Sequence, residues 1–137
     1  MGANDGMLRY FRNTGSAAVP AYSELTGAVN PFHGVDAGIQ SAPSLVDLDN
    51  DGDSDLVVAE FFGTLKYFQN TGTDAAPAYV EGTGVANPFD GIDVGLTSTP
   101  SVADLDGDGD LDLVVGGSDG TLRYFENTGT GALPEYV

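Results

Sequence analysis

Cysteine is absent from this chain, which removes disulfides and thiolate metal sites from consideration. A single histidine, His33, supplies no set of imidazoles for a zinc centre. Lysine and arginine total four against 21 acidic residues, giving a formal charge of −17. Nucleic acid or an anionic membrane would meet repulsion over most of such a surface. No apolar run approaches the roughly 18 residues of a membrane-spanning helix, and the first residues lack the basic-then-apolar pattern of a secretion signal. No serine sits in a nucleophile elbow, and one histidine offers little for a triad, so no enzyme is expected.

What is present is a patterned acidity. Hydrophobic residues make up 41% of the sequence, so the charge does not signal disorder. Ten of the 21 acids lie in two nine-residue runs, Asp47 to Asp55 and Asp104 to Asp112. Each run places aspartates at positions 1, 3, 5, 7 and 9, with Gly52 or Gly109 at position 6 where the chain must turn. Carboxylates so close repel strongly unless a cation lies among them. Hard oxygen donors on a flexible loop suit Ca²⁺, and Mg²⁺ would demand a stricter octahedron. The expected ligands are Asp47, Asp49, Asp51 and Asp55 with the carbonyl of Asp53, then Asp104, Asp106, Asp108 and Asp112 with the carbonyl of Asp110. The side chains of Asp53 and Asp110 are expected to face solvent. Valines, Val58 and Val115, hold the position where an EF-hand needs a bidentate glutamate. Two Ca²⁺ per chain would bring the formal charge from −17 only to −13.

The second run follows the first by 57 residues, and the whole sequence shares that period. Residues 24–80 aligned on 81–137 give about 35 identities in 57 positions, and residues 1–23 match 58–80 and 115–137. A period of this size indicates a solenoid, propeller or array. The reading divides the chain into a half blade (1–23, third and fourth strands), a first full repeat (24–80) and a second (81–137). Met1 stands where the other copies have Val58 and Val115, and we expect a segment of a longer array.

Within one repeat, β-branched and aromatic runs alternate with turn residues. Strands are expected at Pro43–Val46, Leu56–Ala59, Thr64–Phe68 and Pro77–Val80. Leu65 and Tyr67 fall on one face of the third strand and Phe68 on the other, as in a sheet buried on both sides. Four short antiparallel strands buried on both faces and repeated describe a propeller blade. The fold class is all-β, a partial β-propeller of about 2.4 four-stranded blades. The connection between blades carries Asn30-Pro31-Phe32 and Asn87-Pro88-Phe89, whose phenylalanines are expected to plug the space between blades.

These motifs resemble a known family. The Asp loop followed by Asp-Leu-Val-Val, then Gly-Thr-Leu-x-Tyr-Phe-x-Asn-Thr-Gly, is similar to the FG-GAP and VCBS repeats of integrin-α-like propellers. The resemblance implies six to eight blades, with one Ca²⁺ between the first and second strands of each. It also implies an extracellular or cell-surface setting, as in adhesins, receptors, lectins and accessory domains of secreted enzymes. About 2.4 repeats are too few to close a ring, so two or three copies of the chain are expected to assemble into one.

Three functional readings remain. The first is a non-catalytic calcium-stabilised scaffold or adhesion module. The second is a lectin with sugar sites between blades, and the third is a reconstructed fragment whose only activity is assembly. Phe61 and Phe62 bear on this choice, because the other copies have the turn formers Asn4-Asp5 and Ser118-Asp119 there. The pair either packs on a neighbouring blade or subunit, the plainer reading, or presents a ligand surface to a glycan or protein. His33 replaces Asp90 and is expected at the surface.

Overall fold

The computed structural model describes residues 4–137, and its only regular elements besides strands are two single 3-10 turns, Gly27–Val29 and Gly84–Ala86. Among the described residues, nine strands form three separate antiparallel sheets. In the first, β1 (Tyr10–Asn13) pairs with β2 (Tyr22–Leu25). In the second, β3 (Ala42–Val46), β4 (Asp55–Ala59), β5 (Leu65–Asn70) and β6 (Tyr79–Gly82) lie in chain order. In the third, β7 (Thr99–Ala103), β8 (Asp112–Gly116) and β9 (Leu122–Phe125) repeat the first three positions. The fourth position of that sheet is reduced to a bridge between Asn127 and Tyr136. The three small sheets follow one another along the chain with apolar clusters between them, and the described residues do not close a ring.

The central blade is buried on both faces, and the alternation along β4 shows how. Leu56 and Val58 join Leu8, Phe32, Ala37 and Phe68 in one apolar cluster against the first sheet. Val57 and Ala59 join Leu48, Leu65, Tyr67, Phe89, Val94, Leu113 and Val115 in a second cluster against the third sheet. Every residue of β4 is buried, and Leu65 and Tyr67 take the face opposite Phe68 as the sequence pattern requires. At about 25 cal/mol per Å² of apolar surface, these two interlayer clusters are the main favourable term in the fold.

The connections act as wedges. Phe89 is 1% exposed and stacks on Tyr136 at 4.9 Å between centroids. Phe32 stacks in the same way on Tyr79 at 5.2 Å and meets Tyr10 edge-on. The asparagine two residues earlier ties each wedge to the preceding blade. Asn30 Nδ2 donates to the Leu8 carbonyl (2.8 Å), and Asn87 Nδ2 to the Leu65 carbonyl (2.9 Å). His33 is exposed.

The outer strand begins two residues later than the spacing predicts, at Tyr79 instead of Pro77. Pro77 has no amide hydrogen to give a ladder, and the Ala78 amide donates to Asn70 Oδ1 (3.0 Å). The ladder therefore opens at the Asn70–Tyr79 pair. As a result β2 runs across the residue 23/24 boundary expected from the period, so the period does not coincide with the physical edges of a blade.

Candidate metal centres

Each Asp run forms the turn between the first two strands of a full blade, at the end where Val46 faces Asp55 or Ala103 faces Asp112. Gly52 and Gly109 at position 6 have φ of 96° and 97°, a region closed to most side chains. Position 4 also adopts positive φ, at Asn50 (59°) and Gly107 (84°). Asparagine and glycine are the residues that tolerate this, so the bend has two hinges where the sequence spacing suggested one.

The bend gathers three carboxylates. Oxygens of Asp47, Asp49 and Asp51 lie within 4.8 Å of one another, and so do those of Asp104, Asp106 and Asp108. Loop amides already face them. The Asp51 and Gly52 amides donate to Asp47 (both 3.0 Å), and the Asp53 amide donates to Asp51 Oδ1 (2.9 Å). In the second loop the Gly107, Asp108 and Asp110 amides donate to Asp104, Asp106 and Asp108. A convergent all-oxygen set on a turn fits Ca²⁺ chemically, and Ca²⁺ would offset repulsion that amides alone reduce only in part.

The ninth-position aspartates stand apart from these triads. Asp55 is fully buried, and three donors take its oxygens: the Leu48 amide (3.2 Å), the Tyr67 hydroxyl (2.9 Å) and the Asn70 amide (2.7 Å). Asp112 accepts from the Leu105 amide (3.1 Å) and the Asn127 amide (2.9 Å). Each is a hub joining the loop, the second strand and the third. Burial pushes the Asp55 carboxyl above the usual aspartate range, against the bonds from Asn70 and Tyr67. Asp112 is held below that range, chiefly by the Asn127 amide. Burial, with the neighbouring Asp55 charge, also raises the Tyr67 phenol strongly, so it stays a donor.

Asp53 is half-buried, and its carboxylate does not simply face solvent: Oδ1 accepts from the Asp74 amide (2.7 Å). Asp110 is half-buried too. The sequence signal for Asp74 was available, since the equivalent positions hold Ala17 and Gly131, but its partner was not. Two further fixtures recur in both full blades. Asn70 Oδ1 accepts from Gly72 and Ala78, and Asn127 Oδ1 from Gly129 and Glu135. Tyr79 and Tyr136 donate their hydroxyls to the carbonyls of Ser54 and Leu111, pinning the loop exits.

Phe61 and Phe62 lie at the opposite end of the central blade, on the turn joining β4 and β5. They contact each other edge-on at 5.2 Å, and Phe62 is 63% exposed. Within the chain Phe62 stays largely uncovered. The turn is nonetheless anchored, because the Phe61 amide donates to the Ile39 carbonyl and the Phe61 carbonyl accepts from Thr97.

Comparison with curated proteins and with solved structures gave no match. The model of the FG-GAP-like repeat matches residues 47–115 and again 104–136, so the matches begin at the two Asp loops and together cover more than half of the chain. With its paired Asp loops set in propeller-type blades, this chain belongs to the FG-GAP-like repeat family.

Proposed function

We propose that this chain is a non-catalytic, calcium-binding β-propeller module that serves as a scaffold or adhesion surface. The observation that carries the reading is the convergence of three carboxylates in each of two turns, both joining the first and second strands of a blade. Ca²⁺ held there fastens those strands and the buried aspartate behind them into one unit. Sites on exposed loops suit the higher calcium levels outside cells, which favours an extracellular or cell-surface setting. Two or three copies completing a ring remain our proposal for the partner. The test is thermal unfolding with Ca²⁺ and with a chelator, together with native mass spectrometry. We expect two Ca²⁺ per chain and a melting temperature lower by about 10 °C or more without them, since about 1 kcal/mol moves Tm by roughly 2–8 °C in domains of this size range. Identical melting curves would overturn the structural role, and a compact monomer at all concentrations would overturn the assembly.

A second reading, carbohydrate binding, is favoured by the exposed Phe62 ring beside Phe61. An aromatic face open to solvent can stack on a sugar ring. Glycan-array binding that disappears in Phe62→Ala would support it, and silence on such arrays would leave the scaffold reading alone.

A further inference from the structure

We infer that Asp74 is a positioning residue for the first Asp loop and makes its calcium site tighter than the second; this rests on the calcium reading above. Two hydrogen bonds carry the inference. The Ser54 amide donates to Asp74 Oδ1 (2.9 Å), and the Asp74 amide donates to Asp53 Oδ1 (2.7 Å). Together they close a ring between the Asp loop and the outer turn at Thr73–Ala76, about 20 residues further along the chain. That turn is itself fixed by reciprocal backbone bonds between Thr73 and Ala76.

The consequence follows from peptide geometry. The Ser54 N–H and the Asp53 C=O belong to one peptide unit, and there is no cis peptide bond among the described residues. In a trans unit the two groups point in opposite directions within one plane. Holding the N–H from the outer side therefore aims the carbonyl the other way. The Asp53 carbonyl is the seventh-position oxygen, the one a calcium loop of this pattern contributes from its backbone. On the far side of Ser54, its carbonyl accepts from the Tyr79 hydroxyl (3.3 Å). The peptide before Ser54 and the peptide after it are thus both fixed before any metal arrives.

The third blade isolates the effect. Tyr136 pins the Leu111 carbonyl at 2.9 Å, as Tyr79 pins that of Ser54. Gly131 stands where Asp74 stands, and among the described residues no side chain bonds the Leu111 amide. One half of the fixture is kept and the other is missing. A side chain can be restored there, because a Cβ on Gly131 would meet Asn50 Cβ at 3.4 Å, an ordinary contact.

The test is calcium titration of the full chain by calorimetry, with circular dichroism to establish that each variant is folded. Second-layer partners of metal ligands alter affinity by about 10–100-fold. Asp74→Gly is expected to weaken the first site by about tenfold or more within that range and to leave the second unchanged. Gly131→Asp is expected to tighten the second. Asp74→Asn keeps the acceptor and removes the charge, so it is expected to retain the affinity of the unaltered chain. An Asp74→Gly chain that binds like the unaltered one would overturn the inference. So would Asp74→Asn weakened as far as Asp74→Gly, which would assign the effect to charge. Absence of calcium uptake by every chain, the unaltered one included, would instead overturn the calcium reading and the inference with it.

Discussion

The two Asp loops share a spacing but not a setting. In the first, Leu48 is 2% exposed and packs among Val57, Tyr67 and Phe89. In the second, its counterpart Leu105 is 55% exposed. Asp47 and Asp49 are half-buried, whereas Asp104 and Asp106 are open. The difference comes from the neighbour: Ala132, Leu133 and Pro134 of the third blade face Leu48, Asp49 and Gln69 across one cleft. Loop 1 is therefore finished by residues far along the chain. The opposite shifts of Asp55 and Asp112 go with this contrast, although both side chains are closed to solvent: burial is the largest influence on Asp55, and the Asn127 amide is the largest on Asp112.

The largest expected effect removes the wedge that seats one blade on the next. Phe89→Ala should cost about 3–5 kcal/mol in denaturant unfolding, and it should make the first loop exchange amide hydrogens as readily as the second. A loss no greater than that of a surface substitution would break the comparison. Next comes the matched pair Leu48→Ala and Leu105→Ala. The first should cost about 2–4 kcal/mol and the second about 0.5 kcal/mol or less at low protein concentration. If copies associate so that another blade covers the third, the Leu105→Ala cost should grow with protein concentration. Equal costs for the two leucines would show that the neighbour does not matter.

A smaller effect is expected at the residue beside each triad. Gln69 Nε2 donates to Asp49 Oδ2 (2.7 Å), whereas Glu126 holds the equivalent position in the third blade. Gln69→Glu should destabilise the metal-free chain by about 1 kcal/mol, through a lost bond and an added like charge. Saturating Ca²⁺ should shrink that difference, and an unchanged difference would place the introduced carboxylate away from the metal. The smallest effect is in the pH dependence of the metal-free chain. Asp112, lowered in the fold, contributes stability that is present above the unfolded aspartate pKa and lost as pH falls through the folded value. Asp55, raised in the fold, acts in reverse, so its contribution weakens as pH rises from the unfolded towards the folded value. Urea unfolding across the acid range should show a shallower acid loss in Asp112→Asn and none of that change in Asp55→Asn.

Local chemistry carried much of this architecture into the sequence. The alternation at Leu56-Val57-Val58 marks a strand buried on both faces, and Gly52 and Gly109 mark the bends that gather each triad. Phe32 and Phe89 stand out because they recur beside Asn-Pro in otherwise polar connections. What was hidden depends on partners far along the chain. Nothing in the spacing separates Asp55, a buried hub, from Asp51, an open member of the carboxylate triad, because burial of Asp55 is imposed by Asn70 and Tyr67. Asp74 was visible only as a difference among copies, and its bond to Ser54 follows from how the outer turn folds back. The late start of β6 was likewise hidden, since Asn70 captures the Ala78 amide before a ladder can form.

The Asn-Pro-Phe wedges carry a consequence for how such a chain unfolds. Each phenylalanine leaves one blade through an asparagine tether and stacks on the outer tyrosine of the next. The smallest cooperative unit is then a junction, made of the back of one sheet, its wedge and the front of its successor. Stability in such an array becomes a sum over nearest-neighbour couplings, and melting should proceed inward from terminal junctions as it does in other repeat proteins. Adding a repeat adds one coupling along with one sheet, so the share of sheets held on both faces should rise with the length of the array.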